Sequence, residues 1–310
     1  MGEELLIFSG IDALHIIYPR VGYRISHFRI YLVSVELVLG CIMVRRLDQL
    51  EAHFHKWRGQ QSGWKDKLGF IADGMFCPNG WENDVHAKVL FVLKEPNWTI
   101  NMEIEKHGEM LARRGVDIQK VKDEAYLSLH HLTQIWEQQQ QGRKKKALSG
   151  NFQQLKRLAY GLQQSRKDYS PPYQEADSHR DDEEVWRSIA VINLKKTPGG
   201  GSASPAYNTY AKQLEAGKDE NSAALILGQI KILMDFKMVD FHRFIVCCGT
   251  FHTLRGMLNK KIERTSENFF LEELPGVPFL NSRHPAYRRS CSRIYEEVMR
   301  RFQECLQRDK

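Results

Sequence analysis

Short continuous apolar runs alternate along the chain with stretches that repeat apolar residues at helical spacing. Four runs read as strands: Lys88–Leu93, Ile189–Leu194, Arg243–Cys248 and Val277–Asn281. Each is short and closed by polar or turn residues, the pattern of strands buried on both faces of a sheet. Between them a 3.6-residue period predicts helices. Leu47, Leu50, Phe54 and Trp57 share one face of a helix over Leu47–Trp57. Further helices are predicted over Asn101–Arg114, Lys120–Gln139, Phe152–Gln164, Asn221–Met238, Phe251–Asn259 and Ser292–Gln307. Phe70–Asn79 reads as a loop, because Asp73, Gly74, Pro78 and Asn79 are turn formers. Lys167–Glu184, with its prolines and acids, reads as a surface loop. Strands that alternate with helices predict an α/β fold, a three-layer α/β/α sandwich around a central, mainly parallel four-stranded sheet.

The first 42 residues do not fit this pattern. They are rich in Ile, Leu and Tyr without a clear helical period, whereas Met43 precedes an amphipathic start, VRRLDQLEAHFHKW. The expectation is an atypical extension over 1–42, with Met43 as the natural start and 43–310 as one domain. A strand-rich extension or a peripheral membrane contact is the competing reading of 1–42. The longest apolar run, Ile30–Val44, is too short to span a bilayer and contains Glu36, so no membrane partner is expected.

Composition changes this picture little. With 310 residues, 42% hydrophobic and 27% charged, the chain has the make-up of an ordinary soluble protein. A net charge of +7 favours a polyanionic partner. Arg143, Lys144, Lys145 and Lys146 read either as a solvated helix end or as a phosphate-binding fringe. None of the six cysteines has CxxC spacing, and Cys247 and Cys248, adjacent on a strand, point to opposite faces. Reduced thiols, no metal, no cofactor and a cytoplasmic, monomeric protein are expected.

Chemistry gathers where the strands end, which is where an open α/β sheet presents ligands. Glu95, followed by Pro96, closes the first strand. Its carboxylate suits orienting a water or stabilising a sugar cation; a helix cap, or an ion pair with Lys94 or an arginine, is the alternative. Asn193 closes the second, where its amide suits the O/N–H edge of a base, or forms a turn. Lys195, Lys196 and the glycines Gly199 and Gly200 suit a phosphate, or simply a mobile loop. His284, before Pro285, closes the fourth and suits donation to an oxygen that gains charge. Tyr287, Arg288 and Arg289 follow as a basic, aromatic loop suited to a backbone clamp or a wedge.

The order and context of LKEPN, VINLKKTPGG, IVCCGTF and NSRHPAYRR resemble the uracil-DNA glycosylase superfamily, over about Phe70–Arg300. The resemblance implies that fold, with a helical insertion at about 101–186, and DNA of either strandedness, in a bacterial or phage setting, as partner. It also implies excision of uracil or another altered base flipped out of DNA. Glu95 would position water or offset the oxocarbenium charge, Asn193 would pair with the base, and His284 would stabilise the leaving base. Asn97 and Trp98 would lie beside the base, Lys195, Lys196, Gly199 and Gly200 on phosphates, and Tyr287–Arg289 in the vacated stack with Arg288 as wedge. The chain departs from the pattern in four ways. Leu93 and Lys94 replace a glycine-led turn. Glu95 is longer than the usual Asp. Asn97 lacks the bulk that excludes a thymine methyl, and the iron–sulfur cysteines of one branch are missing. Two alternatives stand beside a glycosylase: a non-catalytic nucleic-acid- or nucleotide-binding protein on the same fold, and an unrelated α/β hydrolase of nucleosides.

Overall fold

The computed structural model describes residues 46–60, 70–76, 87–95, 100–124, 126–128, 150–179, 182–196, 205–234, 243–258, 268–271, 274–285 and 290–308. The chain divides between Val44 and Arg45, and all of these residues belong to the second unit. The expectations for 1–42, for the basic run 143–146, and for Asn97, Trp98, Gly199, Gly200, Tyr287, Arg288 and Arg289 lie outside the described residues.

Four buried runs form the parallel centre of a six-stranded mixed sheet. They are β3 (Val89–Leu93), β5 (Ile189–Asn193), β6 (Phe244–Cys248) and β8 (Leu274–Ser282). Their order is β5-β3-β6-β8, and every contact between them is parallel. Antiparallel strands close both edges, β2 (Gly74–Met75) on β5 and β7 (Asn268–Leu271) on β8. A separate parallel pair joins β1 (Phe70–Ala72) to β4 (Tyr126–Ser128). Strand direction and burial follow from composition. VLFVL, IAVIN and FIVCC are β-branched or aromatic at most positions and are almost wholly buried, so both faces must be covered.

Helices cover both faces. On one side, α1 (Arg46–Gln60), α7 (Pro205–Glu215), α8 (Glu220–Met234) and α9 (Phe251–Met257) bury Phe54, Trp57, Ile230 and Leu254 against Leu90, Val92, Ile192 and Cys247. On the other, α4 (Gly150–Gln164), α5 (Tyr173–Ser178), α6 (Glu183–Arg187) and α10 (Cys291–Arg308) bury Leu158, Val298 and Phe302 against Phe91, Val191 and Cys248. Cys247 and Cys248 thus enter different cores, as strand alternation requires. Helices α2 (Ile100–Arg113) and α3 (Ile118–Glu124) lead from β3 to β4. The α4 helix, within the stretch expected to be an insertion, packs on β3 and α10 and supplies part of a main layer.

Several sequence expectations are corrected. Phe70–Asn79 is not simply loop: β1 and β2 flank Asp73, and Met75 and Gly74 pair with β5. The helix expected over Lys120–Gln139 stops at Glu124 and gives way to β4 after one residue. Lys167–Glu184 contains α5 and the start of α6, and two of its acids are anchored. Asp177 accepts from Arg157, and Glu175 accepts from the hydroxyls of Tyr160 and Tyr169. The four-stranded sheet gains its two antiparallel edges. Among the described residues no helix is long and apolar enough to cross a membrane.

Candidate active site

The strand order reverses at β3, whose neighbours β5 and β6 come later in the chain and lie on opposite sides of it. A ligand crevice in an open α/β sheet forms beyond the carboxyl ends at such a point. The β3 and β5 ladder runs past the strand ends. Leu93 pairs with Asn193, Leu194 N donates to Leu93 O at 3.0 Å, and Lys195 N donates to Lys94 O at 3.0 Å. This register sets Lys195 beside Glu95. Lys195 Nζ lies 3.3 Å from Glu95 Oε2, with the Glu95 side chain only 6% exposed. Glu95 is thus in an ion pair, but the cation is Lys195 and not the expected Lys94 or arginine.

The turn after β6 brings the fourth strand end to the same place. Gly249 N donates to Ser282 O at 2.7 Å, and Thr250 Oγ1 donates to Val92 O at 2.9 Å, so the turn is bonded to both flanking strands. Gly249 adopts φ +72°, the left-handed region where a side chain is strained. A Cβ there would lie 3.3 Å from Lys94 Cε and 3.8 Å from both N and Cβ of His284. Lys94 and His284 therefore flank Gly249 from two strands, at a position whose backbone conformation favours glycine. Burial, and then the Lys94 charge, hold the His284 pKa below 6.5, which leaves the imidazole neutral at pH 7. Lys94 Nζ also sits 5.7 Å from the centre of the Tyr207 ring. Tyr207, on α7, is buried, and desolvation pushes its phenol up to about 12. No strand-end motif pointed to Tyr207. The spacing of Tyr207, Tyr210, Ala211 and Leu214 is the helical signal that would have found it.

Asn193 and Lys196 face inward. Asp73, 1% exposed, is the centre of a buried network. Its Oδ2 accepts from the backbone N of Asn193 at 2.6 Å and from Asn193 Nδ2 at 2.9 Å. Its Oδ1 accepts from Lys196 Nζ at 2.6 Å and from Gln229 Nε2 at 2.8 Å. Lys196 Nζ also donates to Asn193 O at 2.7 Å and lies 4.8 Å from the centre of the Trp57 ring. The expectation of a phosphate at Lys196 is corrected. Its side chain has no exposed area, and its charge is spent on Asp73. Burial lowers the Lys196 pKa, and Asp73 opposes that shift. Removing one partner of such a pair alone costs roughly 3–5 kcal/mol, because the other charge stays buried. The reading of Asp73 as a turn former is also corrected, since its carboxylate joins α8, β5 and the segment after β5.

The structure thus brings Lys94, Glu95, Asn193, Lys195 and His284 to strand ends at one edge of the sheet; Asn193, 5% exposed, leans inward on Asp73, and Lys196 is turned away from the edge altogether. This constellation has a carboxylate beside a cation, an oriented amide and a neutral imidazole. It can orient a water, bind a polar heterocycle and donate a hydrogen bond to an oxygen. Among the described residues no group of three or more His, Cys, Asp or Glu side chains could hold a metal ion. No protein-family model matches the chain, and no curated protein is similar to it in sequence.

Proposed function

We propose that the carboxyl edge of this sheet hydrolyses the N-glycosidic bond of uracil or another altered base flipped out of DNA. One observation carries the reading. Glu95, Asn193 and His284, distant in sequence, end strands β3, β5 and β8 of one parallel sheet, and Lys94 and His284 meet across Gly249. Glu95, held by Lys195, orients the water that attacks C1′ and offsets the positive charge that builds on the sugar. His284, neutral at pH 7, donates a hydrogen bond to the base oxygen as the bond to C1′ breaks. Asn193 reads the base edge through its Oδ1 and the Nδ2 hydrogen that Asp73 leaves over. Lys94 adds positive charge where a polyanion approaches. Tyr287, Arg288 and Arg289 are assigned to the vacated stack, and Gly199 and Gly200 to the backbone, by the motif resemblance alone.

A non-catalytic nucleic-acid-binding protein is the second reading. It is favoured by the burial of Asn193, which is only 5% exposed. One experiment separates the two. Purified protein is incubated with single- and double-stranded oligonucleotides that carry uracil, hypoxanthine or xanthine, and alkali-labile abasic sites are measured. The proposal expects release that is lost in Glu95→Ala and His284→Ala while DNA binding persists. Folded wild-type protein that binds DNA but releases no base supports the second reading and refutes the first.

A further inference from the structure

We infer that Asp73 is a positioning residue that fixes which way the Asn193 amide faces, and with it the order of donor and acceptor shown to a base. The inference rests on Asn193 as the base-reading residue. An unrestrained amide turns over easily and can present its oxygen and its nitrogen in either order. Asn193 is not free to do so. Asp73 Oδ2 accepts from its backbone N at 2.6 Å and from its Nδ2 at 2.9 Å. Turned over, the amide would set its oxygen against a carboxylate oxygen, and a buried donor would be lost.

The carboxylate cannot follow such a turn. Its other oxygen, Oδ1, is held by Lys196 at 2.6 Å and Gln229 at 2.8 Å, and Gln229 Nε2 also reaches the Asp73 carbonyl at 2.9 Å. Lys196 reaches across to Asn193 O at 2.7 Å, so the side chain and the strand end are fixed by one ion pair. Asp73, Lys196 and Gln229 are each at most 1% exposed, so water does not compete for these bonds.

The consequence is selectivity between two chemical classes. A lactam edge, as in uracil or hypoxanthine, carries a ring N–H beside a carbonyl oxygen. The amino counterparts, cytosine and adenine, carry a ring nitrogen acceptor beside an exocyclic N–H donor, which is the reverse order. A fixed amide matches one order and leaves polar groups facing their own kind against the other, whereas an amide that turns over matches both. Buried hydrogen-bonding groups left unmatched are what give such sites large discrimination.

Two variants separate positioning from packing. Asp73→Ala with Lys196→Met removes the clamp without leaving a lone buried charge. Gln229→Met weakens the same network but leaves both Asn193 bonds to Oδ2. Base release is compared for the lactam base that wild type excises and for its amino counterpart in the same strand, and the Asn193 side-chain amide is followed by NMR. The clamp predicts a slowly exchanging Asn193 Nδ2 proton in wild type and Gln229→Met, lost in the double variant. It also predicts that lactam preference falls by roughly tenfold or more in the double variant and holds in Gln229→Met. A folded double variant with unchanged preference, or with an unchanged Asn193 amide signal, overturns the inference alone. Wild type that releases no base overturns the glycosylase reading and the selectivity claim with it, even where the amide is protected. A double variant that does not fold leaves the matter to Gln229→Met and wild type, where an unprotected Asn193 amide overturns the clamp.

Discussion

Gly249→Ala is the sharpest probe of how the strand ends converge. The left-handed conformation at φ +72° costs an L residue about 1–2 kcal/mol, whatever surrounds it. The added methyl also meets Lys94 Cε at 3.3 Å, which the flexible end of the lysine relieves by moving a few tenths of an ångström. The contacts at His284, 3.8 Å to N and Cβ, are ordinary. The stability cost is therefore mainly conformational, and it lowers Tm by about 2–8 °C. Gly217→Ala isolates that part, because Gly217 has φ +65° and nothing within 4 Å of its Cβ. Thermal melts are expected to show similar losses for the two variants. Base-release kinetics are expected to separate them. Gly217→Ala keeps kcat, whereas Gly249→Ala displaces Lys94 beside His284 and loses roughly tenfold, a fraction of what a full ångström of misplacement costs. Equal kcat in both variants would refute the claim that Gly249 is kept small for the site. An unchanged Tm in both would refute the conformational argument.

Burial pushes the pKa values of His53 and His284 below 6.5, with Lys196 and Lys56 adding to the effect at His53 and Lys94 at His284. The unfolded chain then binds protons more readily than the folded one, so stability present above 6.5 is lost as pH falls below it. Melting at about pH 7.5 and about pH 5.5 should show a lower Tm in acid, with part of the difference removed by His53→Gln; an acid-insensitive Tm contradicts this. Gly161→Ala would drive a methyl into the buried Tyr295 side chain, first against its hydroxyl and then 2.7 Å from Cε2 and 2.8 Å from Cζ. Overpacking of this kind costs about 1–3 kcal/mol. Tyr295→Phe in the same chain is expected to recover part of the lost Tm, and no recovery would place the clash elsewhere.

The central strands were legible because their burial is written locally. VLFVL, IAVIN and FIVCC need apolar cover on both faces wherever they lie, and the adjacent Cys247 and Cys248 had to part into two cores. The placement of Glu95, Asn193 and His284 at strand ends was legible for a related reason, since polar residues that close such runs fall at the sheet edge; the inward turn of the Asn193 side chain was not. Asp73 and Lys196 were not legible. An Asp before Gly reads as a turn, and a Lys–Lys pair before glycines reads as a phosphate contact or a mobile loop. Both fates are set by partners that sequence proximity does not reveal: Asn193 and Gln229 for Asp73, and Trp57 for Lys196. The two-residue strand β2 and the edge strand β7 were missed because strands so short or irregular owe their form to the neighbour they pair with. The register shift between Phe269 and Leu271 shows how little β7 has of its own.

The position of β3 at the middle of the sheet has a consequence for how the chain is made. Val89 pairs with Ile189 on one side and with Phe244 on the other. At a synthesis rate of about 5–20 residues per second, β3 emerges roughly 5–20 s before β5 and roughly 8–30 s before β6. Until β5 emerges VLFVL is an apolar strand with both backbone edges open, and until β6 emerges one edge stays open, the kind of segment that seeds misassembly. The strand that organises the finished sheet is thus the one that waits longest for its full set of partners. Chaperone dependence of the nascent chain should begin when β3 leaves the exit tunnel and end when β6 does.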